Sequence, residues 1–251
     1  MKLNFKKKNV FKLGGTEGIG LACVKKFAAF GANVITFSRS EKKIENLRRL
    51  KKKNFNVNVF KADALDDDSI RKLTNEILFK FKRIDILINN VGGGGRWGTK
   101  NFINTSLKTW SDVYKKNNNP LILFTQKFLG GMIKKKWGRI ITVSSILGDE
   151  FIMSPRPWYS TAKNSQIVLM KNFSKNKSFS KNNITFNCVS PGPVKSKKNK
   201  FSKKWIEKNI PTNRLCEVSD IINLIIFLSS DSASFLNGLN IKVDGGQSNS
   251  V

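Results

Sequence analysis

The chain has 251 residues, 39% of them hydrophobic, with 46 Lys and Arg against 17 Asp and Glu, a net charge of +29, and no histidine. Its length and apolar content suffice for one α/β domain with a substantial core, and exclude a disordered chain. The missing histidine excludes Ser-His-Asp and Cys-His catalysis, HExxH zinc sites and histidine acid–base chemistry, so any proton transfer must use Tyr, Lys, Asp, Glu, Cys or water.

Met1–Lys8 is basic, as the start of a signal peptide would be. The apolar stretch behind it, Val10–Leu13, is broken by Lys12 and runs into a glycine turn, short of the ~7–15 apolar residues a signal needs. It reads as the first strand of a cytoplasmic protein. Further strand-like runs follow at Asn33–Phe37, Val57–Lys61, Ile84–Asn89, Arg139–Ser144, Ile184–Val189 and Asn240–Val243. Between them lie stretches of helical period at Ile19–Phe30, Glu41–Lys53, Ser69–Phe81, Trp110–Lys135, Ser160–Ser174 and Ser219–Leu228. No apolar run approaches the ~18 residues that span a bilayer. Strand–helix alternation predicts a single Rossmann-type domain over residues 1–251, a doubly wound parallel sheet with helices on both faces. Ligands of such sheets bind beyond the C-terminal strand ends, and the motifs below fall there.

Cys23, Cys188 and Cys216 are scattered and form no CxxC. They read as small buried apolar residues rather than a disulfide framework or zinc site. The positive charge is spread over many separate places rather than one tail. It reads as compositional drift toward lysine and asparagine, or as attraction for an anionic partner.

The first strand leads into Gly14-Gly-Thr16-Glu17-Gly18-Ile19-Gly20. Glycines there allow a tight turn, close approach to a pyrophosphate and close helix–strand packing, and the helix start offers N–H groups to phosphate. The second strand ends at Ser38-Arg39, where an NAD-selective fold offers a carboxylate to the ribose 2′-hydroxyl. A guanidinium instead pairs with a 2′-phosphate, which predicts NADP(H) over NAD(H); the alternative is a solvated loop cation. Asp63, followed by Ala64, ends the third strand and is placed to accept from an adenine amino group. Asn89-Asn90-Val91-Gly92 ends the fourth, with asparagines that satisfy backbone groups beside a cofactor. Either set also reads as structural capping.

Tyr159-Ser-Thr-Ala-Lys163 puts a phenol and an ammonium on one helix face. The ammonium favours the phenolate, a proton donor and acceptor without histidine. In so Lys-rich a chain this pair alone reads as an exposed Tyr near a Lys, but it does not stand alone. Fourteen residues earlier a strand ends in Ser144-Ser145, where a hydroxyl can bond a substrate carbonyl. Asn117, seven residues after Trp110 and preferred to Asn118 and Asn119, is placed to hold a water linked to Lys163.

This set, with Asn187-Cys-Val-Ser-Pro-Gly192, Pro211-Thr-Asn-Arg214-Leu, Ile226-Phe-Leu-Ser-Ser-Asp231 and Val243-Asp-Gly-Gly246, resembles the classical short-chain dehydrogenase/reductase family from about residue 8 to 247. Within it, the chain looks most like the 3-oxoacyl-carrier-protein reductase-like group. The resemblance implies hydride transfer between a nicotinamide cofactor and a carbonyl or secondary alcohol. It makes Tyr159 the acid/base, with Lys163 lowering its pKa and binding the nicotinamide ribose. Ser145 polarises the carbonyl, Asn117 anchors a proton-relay water, and Pro191, Gly192 and Val194 border the nicotinamide. It also implies a homo-oligomer, a tetramer or dimer, built through the central helices and the C-terminal region.

Two departures stand out. Leu13 replaces the usual threonine before the first motif glycine, and Lys12 lies in a strand expected to be buried on both faces, where a charge is costly. The stretches expected to face substrate are Gly93–Gly98 with Arg96 and Trp97, Leu147–Trp158 with Arg156 and Trp158, and Pro193–Trp205. The basic run Lys195–Lys204 reads as a mobile lid beside the site, suited to an anionic substrate such as a carrier protein, a CoA thioester or a sugar acid. The rival class is a non-catalytic nucleotide-sensing or nucleic-acid-binding protein on the same fold.

Overall fold

The computed structural model describes residues 3–50, 55–94, 97–98, 101–150, 156–196 and 201–249. Strands β1 (Asn9–Lys12), β2 (Asn33–Ser38), β3 (Val57–Lys61), β4 (Ile86–Asn89), β5 (Gly138–Val143), β6 (Ile184–Pro191) and β7 (Asn240–Val243) form one parallel sheet in the order β3-β2-β1-β4-β5-β6-β7. All seven strands fall where the apolar runs predict them. The helices are α1 (Gly18–Ala29), α2 (Glu41–Arg48), α3 (Asp67–Phe81), α4 (Leu107–Lys135), α5 (Pro157–Lys175), α6 (Lys177–Ser180), α7 (Lys203–Asn209) and α8 (Val218–Leu228). No described helix is long and apolar enough to cross a membrane. Among the described residues no cluster of His, Cys, Asp or Glu is arranged to hold a metal ion.

Strand side chains alternate between faces, so each buried strand feeds two cores. Val10, Val34, Ile86, Ile88 and Val189 pack against α1 and α8. Phe11, Ile35, Leu87, Ile140 and Phe186 pack against α3, α4 and α5 through Leu73, Phe124, Phe128 and Met170. The apolar stretches Leu121–Leu129 and Ile221–Leu228 therefore supply this chain's own core through Leu121, Phe124, Phe128, Ile221, Ile225 and Ile226. Cys23, Cys188 and Cys216 are buried and free. α4 runs unbroken through Pro120. The missing N–H falls opposite the Lys116 carbonyl, and burial of Leu121, Phe124 and Phe128 holds the helix beyond it.

The N-terminal edge of the sheet is bound by polar side chains. Asn58 donates to Asn33, and Asn33 to Asn9, both at 2.8 Å. Asp85 accepts from the Asn9 N–H at 2.8 Å and from Arg83 at 2.8 Å. Arg139, fully buried, donates to the carbonyls of Asn183, Gly138 and Ser230. Asn237 accepts from Phe186 N–H at 2.9 Å. The C-terminal edge carries the glycine turn and the other predicted motifs.

Candidate active site

The turn between β1 and α1 is built as a cradle. Gly14 and Gly18 have φ of +69° and +48°, a region glycine enters without strain. A Cβ on Gly18 meets nothing within 4 Å, whereas one on Gly20 overlaps the Gly14 carbonyl oxygen. The turn is thus open outward at Gly18 and packed on the helix at Gly20. Glu17, the N-cap of α1, makes no side-chain cap bond, unlike Asp66 at α3 and Ser106 at α4. First-turn N–H groups around Ile19 and the positive helix end are left for an anion. These residues fit a dinucleotide pyrophosphate. Thr16 and Glu17 lie on this turn, and Glu17 pairs with Lys43 at 2.7 Å.

Ser38 closes β2 and accepts from Ser40 N–H at 3.1 Å. Arg39 is 74% exposed at its side chain and lies 3.7 Å from the Asp63 carboxylate. Asp63 also accepts from Leu65 N–H at 3.0 Å, so it shapes the β3–α3 turn. Ala64 and Leu65, with Trp97, Asp112, Lys115 and Asn119, line a cleft of about 660 Å³. Asn90 places its carbonyl oxygen 3.2 Å from where a Gly14 Cβ would sit, and Val91 touches the same spot. Asn89 is different: it is buried, donates to Thr142 at 3.3 Å, and its Oδ1 has no partner among the described residues. The expectation that it serves backbone groups beside a cofactor is corrected, because its amide bonds the Thr142 hydroxyl on β5 instead.

Lys116 was not singled out from the sequence. Its ammonium lies 4.1 Å from the Trp97 ring centroid and 4.0 Å from where a Gly93 Cβ would sit. Burial, then the Arg39 charge, pushes its pKa down. A lysine in so lysine-rich a chain carries no signal of its own.

Elsewhere along the C-terminal edge of the sheet, four elements converge. Asn117, buried on α4, clasps Gly93 through Oδ1 to its N–H (3.2 Å) and Nδ2 to its carbonyl (2.8 Å), and also donates to Val113. A Cβ on Gly92 would lie 2.5 Å from Asn117 Oδ1 and 3.2 Å from Lys163 Nζ, so this glycine seats the two groups together. Asn118 instead joins α4 to α5 by donating to Ala162 and accepting from Ser165. Ser145 follows β5, accepts from Leu147 N–H at 3.2 Å, and hydrogen-bonds the Tyr159 phenol. Ser144 is buried and donates to the Lys163 carbonyl at 2.9 Å. Lys163 donates to the Val143 carbonyl and to Gln166 Oε1, both at 3.1 Å, and lies 5.9 Å from the Tyr159 ring centroid.

Asn117 and Lys163 are also linked by a side chain. Gln166 Nε2 donates to the Asn117 main-chain carbonyl at 2.8 Å while its Oε1 accepts from Lys163. Ala162, Gln166 and Met170 are buried at spacings of four, and that phase was the signal for an inward glutamine. Burial pushes the Tyr159 phenol up, and the Ser145 hydrogen bond works against it. The expected lowering by Lys163 is therefore corrected: burial dominates the phenol. Burial also lowers Lys163 to about 8.

On the far side, Pro191 ends β6, Gly192 donates to the Val243 carbonyl at 3.0 Å, and Val194 bridges to Cys216. Lys195 pairs with Glu217 at 2.9 Å, and Lys203–Asn209 is helical. Between these two ends of the basic run, residues 197–200 lie outside the described residues. Trp158 is buried against Val113 and Ala162 rather than facing substrate, because α5 turns it toward Trp110. Arg96 and residues 151–155 lie outside the described residues.

Lys12 is fully buried, and its ammonium donates to the Leu13 carbonyl at 2.7 Å. Thr36 on β2 donates to the Lys12 carbonyl at 2.7 Å, placing a hydroxyl beneath the turn where Leu13 has none. Burial brings Lys12 down to about 8, against a small opposite pull from Cys23. Lys12 and Lys163 thus have folded pKa values below the unfolded 10.5. Between about pH 8 and 10.5 the unfolded chain binds more protons, so stability rises with pH. Cys23, Cys188 and Cys216, raised to about 11, 12 and 11 from 9.0, act oppositely as pH approaches and passes 9. Urea unfolding should therefore give stability rising by roughly 1 kcal/mol from pH 8 to 9 and flattening, then falling, above. Lys12→Met should be more stable at pH 7 by about 1–3 kcal/mol and should rise less between pH 8 and 9.

A family profile described as enoyl-(acyl carrier protein) reductase matches residues 14–248. The chain is 31% identical over 252 residues to a 3-oxoacyl-(acyl-carrier-protein) reductase FabG of Aquifex aeolicus, covering 98% of this chain and 99% of that one. It is 32% identical over 251 residues to the enzyme of that name from Buchnera aphidicola subsp. Schizaphis graminum, covering 97% and 98%. Its fold is similar to that of a short-chain type dehydrogenase/reductase from Mycobacterium ulcerans, with a TM-score of 0.88 at 21% identity over 98% of this chain and 91% of that one. The chain belongs to the classical short-chain dehydrogenase/reductase family, similar to its 3-oxoacyl-(acyl-carrier-protein) reductases, and is an oxidoreductase acting between a CH–OH group and a ketone with NAD(P).

Proposed function

We propose that the protein is an NADP(H)-dependent ketoreductase, with 3-oxoacyl thioesters as its first candidate substrates. The observation that carries this reading is the convergence of Ser145, Tyr159 and Lys163 beside Gly92 and Asn117, at the mouth of an uncapped glycine turn. The cofactor, when bound, supplies the hydride for reduction. The Gly14–Gly20 turn holds the pyrophosphate; Asn90, Val91 and Gly92 flank the ribose, and Pro191, Gly192 and Val194 border the nicotinamide end. Ser145 donates a hydrogen bond to the substrate carbonyl. Tyr159 gives its phenolic proton to the oxygen as negative charge develops there, and the Lys163 ammonium stabilises the phenolate left behind. A phenol held above its ordinary pKa by burial is protonated at neutral pH, the form reduction requires.

The preference for NADP(H) is supported by Arg39 at the end of β2, where an NAD-selective fold places a carboxylate, with Lys116 near enough to feel its charge. A charge-assisted bond to a 2′-phosphate contributes about 1.5–3 kcal/mol. Steady-state oxidation of NADPH and NADH with 3-oxoacyl thioesters, enoyl thioesters and simple ketones tests the reading. NADPH and an oxoacyl thioester should give the highest kcat/KM. Arg39→Ala should raise the NADPH KM about tenfold or more and leave the NADH KM within about twofold. Faster turnover of enoyl thioesters, or equal loss with both cofactors, contradicts it.

A further inference from the structure

We propose that Gln166 is a positioning residue of this site, its amide spanning the Asn117 main-chain carbonyl and the Lys163 ammonium. The inference rests on the roles proposed for Tyr159 and Lys163. Asn117, Lys163 and Gln166 are all buried, and the distances are 2.8 Å from Gln166 Nε2 to the Asn117 oxygen and 3.1 Å from Lys163 Nζ to Gln166 Oε1. The chemistry of the partners fixes the orientation of the amide. An ammonium only donates, so the atom facing Lys163 is the carbonyl oxygen. A main-chain carbonyl only accepts, so the NH2 faces Asn117. A flipped amide breaks both bonds at once.

One consequence follows for Lys163: its ammonium has two fixed acceptors, Val143 and Gln166, leaving one N–H for the site. The ionisable groups around Lys163 are Tyr159 on its own helix and Cys188 on β6. Asp149, which acts on Cys188, is itself paired with Lys242 at 3.2 Å. Among the described residues no carboxylate faces the ammonium, and Gln166 Oε1 is the side-chain oxygen that accepts from it.

The test is the pH profile of kcat/KM for ketone reduction in Gln166→Leu and Gln166→Glu. Both variants lose the donor to Asn117, so their difference reports the Lys163 side. Reduction needs the ammonium and fails as pH rises through its pKa. Gln166→Leu removes a neutral acceptor, and the alkaline limb should move down by about one pH unit, with kcat lowered about tenfold. Gln166→Glu sets a carboxylate against the ammonium, and the limb should move up by about one unit or more. Should Gln166→Leu not fold, the near-isosteric Gln166→Glu still gives the upward shift. Limbs that stay at the wild-type pH, or move the same way, overturn the proposal, because a merely structural glutamine lowers stability without opposite shifts. Tyr159→Phe measured alongside separates the two levels. Retained turnover there overturns the proposed function; an inactive Tyr159→Phe with unmoved Gln166 limbs overturns only the role of Gln166.

Discussion

Tyr159→Phe is expected to lower kcat for ketone reduction by about 10²–10⁴-fold, the usual contribution of a positioned acid, while the Kd for NADPH moves less than about threefold. The substitution removes one O–H and keeps the ring. Lys163 keeps both fixed acceptors, Val143 and Gln166, and α5 keeps its packing through Trp158, Ala162 and Met170. The glycine turn lies on another element and is untouched. Cofactor fluorescence titration and single-turnover kinetics separate binding from chemistry. A variant that binds NADPH normally and still turns over within about tenfold of wild type would remove Tyr159 from the role of proton donor, since no other described phenol approaches Ser145. A variant that loses NADPH binding would show that Tyr159 shapes the cleft instead.

Gly20→Ala should damage stability and cofactor binding together. The added methyl group overlaps the Gly14 carbonyl oxygen, and its next neighbours are the Gly14 carbonyl carbon at 2.8 Å and the Gly15 Cα at 3.2 Å, all backbone. No side chain can rotate away, so α1 must withdraw from the turn. Overpacking of this kind costs about 1–3 kcal/mol, a fall in Tm of several degrees for a chain this long. The first-turn N–H groups then no longer face an anion, and NADPH affinity should fall about tenfold or more. Gly18→Ala provides the contrast. Its methyl group has open space, so the penalty is confined to a φ of +48°, about 1 kcal/mol, and affinity should suffer more than stability. Equal melting temperatures for wild type and Gly20→Ala would contradict this packing.

The strands were legible because apolar β-branched runs of four to eight residues leave few alternatives between glycine and polar turns. Helix α4 was legible across Pro120 because Leu121, Phe124 and Phe128 keep the helical phase on both sides of it. Helix α7 was missed. Its seven residues lie in a lysine run, and its signals are the Ser202 cap on Trp205 and the Lys203–Glu207 pair, both easily read as loop. The glycine turn and the Tyr159–Lys163 pair stood out by spacing, since each sits where a strand ends or a helix begins, while the choice of Ser145 over Ser144 and the catalytic roles came from the family resemblance. Gln166 and Lys116 were not. A glutamine or lysine in a basic helix looks solvated, and only its phase against buried neighbours turns it inward. Lys12 was visible as an anomaly but not explicable, because its acceptor is the carbonyl of the very next residue.

The polar binding of the sheet's N-terminal edge has a consequence for how the molecule breathes. Asn9, Asn33, Asn58, Asp85, Arg139 and Asn237 fasten the starts of six of the seven strands, or the residues just before them, to neighbouring segments. At the opposite edge Asn117 and Lys163 fasten the ends of β4 and β5, whereas the turn after β1 is open at Gly18. Local opening follows the weaker contacts. Backbone amides should therefore exchange slowest where the strands begin and fastest at the glycine turn after β1. The cleft can loosen to admit and release its ligands while the far rim, one strand length away, keeps the register of the whole sheet.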